Sequence, residues 1–202
     1  MTANAHSLIA ELDVAIGQAT TSRQSQILQR VTDLFLSDTM RFSDEQIAIF
    51  DDVIQRLIEK AENPALITLS TRLAPIDNAP PNVIATLAQN EDVAVAVPVL
   101  TLSPVLTDEV IAKVAASVKG PRQLAAIAGR GRISEAVTDA LVDRGIPELI
   151  HKAIANPQAR FSEIGFVKLI NRAKTDKPLA TAIAARGDLP AELLPFLNLA
   201  LA

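Results

Sequence analysis

The chain has 202 residues and a formal charge of −4, a length for one large domain or two small ones. It contains no Cys, no Trp, no Tyr and two His. That composition excludes disulfides, thiolate chemistry and thiolate metal sites, and it removes most general-base and base-stacking options. The two His lie 145 positions apart, so no transition-metal site and no cofactor is expected. The first residues carry no Lys or Arg ahead of an apolar stretch, so no signal peptide is expected. The most apolar run, Val93 to Leu102, falls far short of the roughly 20 residues of a membrane span. A soluble, cytoplasmic chain with no membrane insertion is the expectation.

Residues 1–64 read as three helical segments, Ala5–Ala19, Arg23–Leu36 and Asp44–Glu62, with Asn63-Pro64 as a stop. Ser43-Asp-Glu-Gln46 is a capping box heading the third. This segment is acidic and reads as an N-terminal helical cap, with a binding arm as the alternative.

From residue 65 a unit of about 28 residues recurs. Leu106, Ile133, Phe161 and Leu189 lead four similar stretches, 27, 28 and 28 positions apart, and Ala79 leads a fifth. First helices are predicted over 65–73, 93–102, 123–128, 148–155 and 179–185. Second helices are predicted over 82–89, 108–118, 135–142, 163–173 and 191–199. Thr107, Ser134 and Ser162 stand as N-caps, with Asp108, Glu135 and Glu163 in the first turn to complement the helix dipole. A single pair cannot bury its apolar stripe, but stacked pairs can. The expected fold is all-α: a right-handed α-solenoid of about five two-helix repeats (65–202) behind the 1–64 cap, as one continuous domain.

The stretch Leu87-Ala-Gln-Asn-Glu-Asp-Val-Ala-Val-Ala-Val97, running on to Leu102-Ser-Pro-Val-Leu-Thr-Asp-Glu-Val-Ile-Ala-Lys-Val-Ala115, resembles leucine-rich-variant and HEAT-like helical repeats. Over roughly 42–202 the arrangement resembles a family of uncharacterised bacterial proteins, common in alphaproteobacteria. The resemblance implies a fold and no catalytic residues. An iron–sulfur Cys cluster, carried by some leucine-rich-variant proteins, has no counterpart here.

Few residues suggest chemistry. His151 has Glu148 three positions earlier but no nucleophile placed by the pattern, and reads as a helical surface residue. His6 reads as solvated. Gly129-Arg-Gly131-Arg132 lacks the third glycine and preceding strand of a dinucleotide fingerprint, and reads as a turn using Gly for positive φ. The acidic pairs Asp44/Glu45, Asp51/Asp52, Glu91/Asp92 and Asp108/Glu109 read as caps and solvated faces, because adjacent helical residues do not face each other.

Two features point to binding. Between Lys113 and Arg186 there are 13 basic and 6 acidic residues. Arg132 and Arg160 stand one position before the leading residue of their units, Arg130 and Arg186 three before, and Arg144 and Arg172 eleven after. The repeat therefore stacks these six into ladders, which read either as ordinary solvation of loops and helix C-termini, where Arg suits the dipole, or as a candidate docking ridge for acidic protein segments, phosphates or nucleic acid. The last helix carries Leu193, Leu194, Phe196, Leu197 and Leu199, an apolar end that could be covered by a partner or by a second copy in a homodimer. The expected function is a non-enzymatic protein-interaction scaffold or adaptor whose partner the residues do not name. The alternative is a nucleic-acid-binding repeat protein using the basic 113–186 segment.

Overall fold

The computed structural model describes residues 20–38, 42–118 and 120–201. The expected first helix and His6 lie outside the described residues. Twelve α-helices and one 3-10 turn occur among them, with no strand beyond a single bridge. No described helix is long and apolar enough to cross a membrane. Packing divides the chain into two compact units, Met1–Leu106 and Thr107–Ala202.

Among the described residues the first unit holds five helices. Helix α1 (Thr21–Ser37) buries Leu28 and Phe35 on one stripe. Thr32 stands on the same stripe and donates its hydroxyl to the Leu28 carbonyl at 2.7 Å, which satisfies a buried polar group inside the helix. Helix α2 (Asp44–Ile58) starts at the expected capping box, in which Ser43 and Gln46 bond reciprocally. It stops at Ile58 instead of Glu62, and Asn63-Pro64 opens α3 (Asn63–Leu73), with Pro64 in the first turn, where a missing N–H costs little. Helices α4 (Pro81–Ala88) and α5 (Val93–Leu102) follow, and α5 runs through Pro98. α1 packs on α2 and α3, α2 on α4, and α3 on α4 and α5. Phe35, Phe42 and Phe50 form a ring cluster with centroids 5.0–5.8 Å apart.

The second unit holds α6 (Asp108–Ser117), α7 (Pro121–Ala128), α8 (Glu135–Arg144), α9 (Pro147–Ile154), α10 (Glu163–Ala173), α11 (Lys177–Ala184), a 3-10 turn (Ala191–Leu193) and α12 (Leu194–Leu201). Alternate helices pack together: α6 on α8, α8 on α10 and α10 on α12, beside α7 on α9 and α9 on α11. The burial repeats with the sequence. Val114, Leu141, Leu169 and Leu197 recur at 27 or 28 positions and all lie in the core. Full burial of each such side chain contributes about 1.5–3 kcal/mol.

Two of the three expected caps form. Thr107 accepts from the Val110 N–H, and Ser162 from the Gly165 N–H at 2.9 Å. Ser134 occupies the N-cap of α8 without a cap bond, and its Oγ is buried with no partner. The Gly129–Gly131 segment is a turn, but not one made by positive φ. Gly129 has φ −93°, and a Cβ there would come within 2.7 Å of Lys152 Nζ. Among the described residues, the glycine with positive φ is Gly145 (φ 71°), which ends α8 by donating its N–H to Val142 O.

Candidate functional site

The loops from the first to the second helix of each pair in the second unit are the chemically richest part of the chain. After α7 the chain runs through Arg130, Gly131 and Arg132 to Ile133. After α9 it runs through Asn156 to Arg160. Ile133 and Ala159 pair as a parallel bridge, and the Arg160 N–H donates to Ile133 O at 2.8 Å. Thr138, buried on α8, donates its hydroxyl to Arg160 O at 2.7 Å. Both backbone groups of Arg160 are thereby fixed. Asn156 Nδ2 donates to Arg130 O at 2.8 Å and ties the two loops together.

These loops border an open groove of about 1210 Å³. Its charged lining is Asp108, Arg132, Arg160, Arg186 and Asp188. Apolar lining comes from Ile133, Ile154 and Pro157, with several alanines beside them. No aromatic side chain is in the lining.

The six arginines of the ladders divide by what their guanidiniums do. Arg144 donates to the Ala116 and Val118 carbonyls at 3.2 and 2.8 Å, at the end of α6. Arg172, 28 positions on, donates to Val142 O at 3.1 Å at the end of α8. A cation there satisfies orphan carbonyls and complements the negative end of the dipole. Arg186 is the most enclosed, with its side chain 8% exposed. It donates to the carbonyls of Ile154, Asn156 and Ala159 and to both carboxylate oxygens of Asp188, and it stands 4.8 Å over the Phe161 ring. Arg130 is half-buried. Burial pulls its guanidinium below its ordinary range, and the charge of Asp108 opposes that pull. Arg132 and Arg160 differ from these. Both are exposed, and both line the groove.

The Asp188 carboxyl is held below the usual carboxylate range, first by the hydrogen bonds from Arg186, with smaller help from the charges of Arg186 and Arg160. A carboxyl whose folded pKa is depressed stabilises the fold fully above its unfolded pKa of about 3.9, and that contribution disappears as pH falls through the folded value. Asp188→Asn is therefore expected to be less stable than the wild type at pH 7. It is also expected to lose less stability on acidification below about pH 4. Urea midpoints at neutral and acidic pH check this; parallel acid limbs would refute it.

His151 meets a carboxylate, but not Glu148. Its Nε2 lies 2.8 Å from Asp176 Oδ2. Asp176 is the N-cap of α11 and accepts from the Leu179 N–H, which is the first cause of its lowered pKa, ahead of the contact with His151. The pair ties α9 to α11. Among the acidic pairs, Asp44/Glu45 and Asp108/Glu109 lie in first turns, and Asp92 caps α5. Asp51 is different, because it is buried and caps another helix. The signal that separates it from Asp52 is helical spacing, which puts Asp51 in one stripe with Ile47, Ile54 and Ile58.

The five apolar residues of the last helical segment split by face. Leu193 and Leu197 are in the core. Leu194, Phe196 and Leu199 are exposed, Leu199 by 76%. Leu201 is exposed as well, and helical spacing puts Leu194 and Leu201 on one flank of the core-facing stripe and Phe196 and Leu199 on the other.

A family model described as "Uncharacterised protein conserved in bacteria (DUF2336)" matches residues 95–197, just over half of the chain. No curated protein and no solved structure matches.

Proposed function

We infer, for a chain that belongs to the DUF2336 family of uncharacterised bacterial proteins, that it is a non-enzymatic helical-repeat scaffold docking a protein partner on its repeat surface. The recurrence of buried positions at 27 or 28 residues, with alternate helices packed together, supports a solenoid of two-helix repeats. Such repeats present extended surfaces suited to docking.

The observation that carries the reading is the contrast among the arginines. Arg144, Arg172 and Arg186 close helix ends within their own chain. Arg132 and Arg160, at equivalent positions of successive units, are exposed along one large groove. Arginine is the side chain most suited to bidentate capture of an anionic group, and it is enriched at interface hot spots. The groove walls offer aliphatic surface beside those charges, as a protein segment requires. The absence of an aromatic from the lining weighs against base stacking, and so against the nucleic-acid reading.

The test is a photo-cross-linking amino acid placed at Gln158, exposed in the groove lining, with a second chain carrying it at Glu109, exposed on α6, as control. A discrete protein adduct formed in the native bacterium from position 158, absent from 109 and abolished by Arg132→Glu, is expected. Equal adducts from both positions, no adduct, or an adduct destroyed by nuclease would overturn the reading.

A further inference from the structure

We propose that the groove beside the Ile133–Ala159 bridge takes an extended acidic segment with carboxylates two residues apart, gripped by Arg132 and Arg160. This rests on the scaffold reading and names the chemistry of its partner.

The geometry begins with the bridge. Ile133 and Ala159 are paired and buried. Arg132 precedes the first and Arg160 follows the second. Side chains alternate along extended backbone, so the neighbours of two inward residues share the outward face. Both arginines do line the groove. They are offset by two residues along the chain and by one strand spacing across it. With about 3.3 Å per residue and about 4.8 Å between strands, their Cα atoms stand about 8 Å apart. In an extended peptide, residues i and i+2 point the same way and lie about 6.6–6.8 Å apart. A Glu-x-Glu or Asp-x-Asp segment therefore matches the two guanidiniums within the reach of long side chains, one bidentate pair at each.

The remaining features fit the same occupant. The backbone of Arg160 is locked from both sides by Ile133 O and the Thr138 hydroxyl, so only its side chain has to be ordered when it binds. At about 1210 Å³ and open, the groove exceeds the range of roughly 300–1,000 Å³ typical of small-molecule pockets. Its exposed Ala155, Pro157 and Ala185 take the aliphatic neighbours of the acidic residues. Asp188 is paired with Arg186, which leaves Asp108, in the first turn of α6, as the lining carboxylate that the two arginines must outweigh.

The experiment titrates the full chain into a fluorescein-labelled peptide containing Val-Glu-Ala-Glu-Val and follows anisotropy. The matched peptide contains Val-Gln-Ala-Gln-Val. Saturable binding of the first and not the second is expected. Arg132→Glu and Arg160→Glu should each weaken it by on the order of tenfold. Lys113→Glu, an exposed change outside the groove lining, should leave it unaltered. The paired Lys substitutions, which keep charge but lose the fork, should bind more weakly than wild type. Equal binding of the two peptides, or binding indifferent to both arginine reversals, overturns the inference. So does preference for a single-stranded oligonucleotide over the Glu peptide. If the peptide fails while the cross-link at position 158 persists, only the acidic-segment inference falls. If both fail, the scaffold reading falls with it.

Discussion

Arg186→Ala is expected to lower the unfolding free energy by about 3–5 kcal/mol, the scale for removing one partner from a buried charged network. The guanidinium is nearly enclosed and joins the end of α9, the following loop and Asp188. Without it the Ile154, Asn156 and Ala159 carbonyls lose donors, Asp188 loses its counter-charge, and the Phe161 ring loses a stacked cation. A drop in melting temperature on the order of 10 °C follows for a chain of this size. Arg186→Lys should recover little. An ammonium is a point donor and cannot span several carbonyls and a carboxylate at once. Thermal and urea unfolding of the three chains check this; an unchanged midpoint in Arg186→Ala would show the network to be dispensable.

Asp51→Ala should cost about 3 kcal/mol. Helix α4 opens with Pro80 at its N-cap and Pro81 in its first turn, and neither offers a side-chain acceptor. Its first N–H groups therefore need a cap from elsewhere. Asp51, on α2 and 4% exposed, supplies it: the carboxylate accepts from the Asn82 and Val83 N–H groups and from Asn82 Nδ2 at 2.7–3.1 Å. The negative charge also suits the positive end of the α4 dipole. Asp51→Asn keeps one acceptor and should lose roughly half as much. Asp52→Ala is the control. Asp52 makes only a surface pair with Arg56 at 3.1 Å, and its loss should cost under about 0.5 kcal/mol. Urea denaturation with a common slope measures all three, and equal effects at positions 51 and 52 would refute the capping role.

The helices were legible because their signals are local. α5 and α10 start and stop where apolar spacing and flanking caps place them. The signals that misled were local residues with two uses. Asn63-Pro64 suits a helix start as well as a stop, and packing of α3 decided between them. Gly129 suggested positive φ, whereas its small size accommodates the Lys152 ammonium. Ser134 has a capping residue's chemistry without its bond.

The candidate site was half legible. A 28-residue phase marks which arginines are equivalent, and it cannot say what they touch. Arg160 and Arg186 carry the same charge in the same basic segment. One stands exposed at a groove, and the other is enclosed by three carbonyls and a carboxylate more than 25 positions away or on its own loop. The split of Leu193 and Leu197 from Leu194, Phe196 and Leu199 has the same origin, since an all-apolar segment has no polar face to announce its orientation.

By itself the sequence determined the all-helical class, most positions of the described helices and the lack of thiol chemistry. Each of these follows from residue identity and near-neighbour spacing, which set backbone preference and amphipathic period. The tertiary structure alone decided which helix the buried Asp51 caps, which arginines close helix ends and which two remain exposed along a groove. Those outcomes depend on carbonyls and N–H groups brought together from distant turns, and orphan backbone groups take whichever charged side chain packing places within reach.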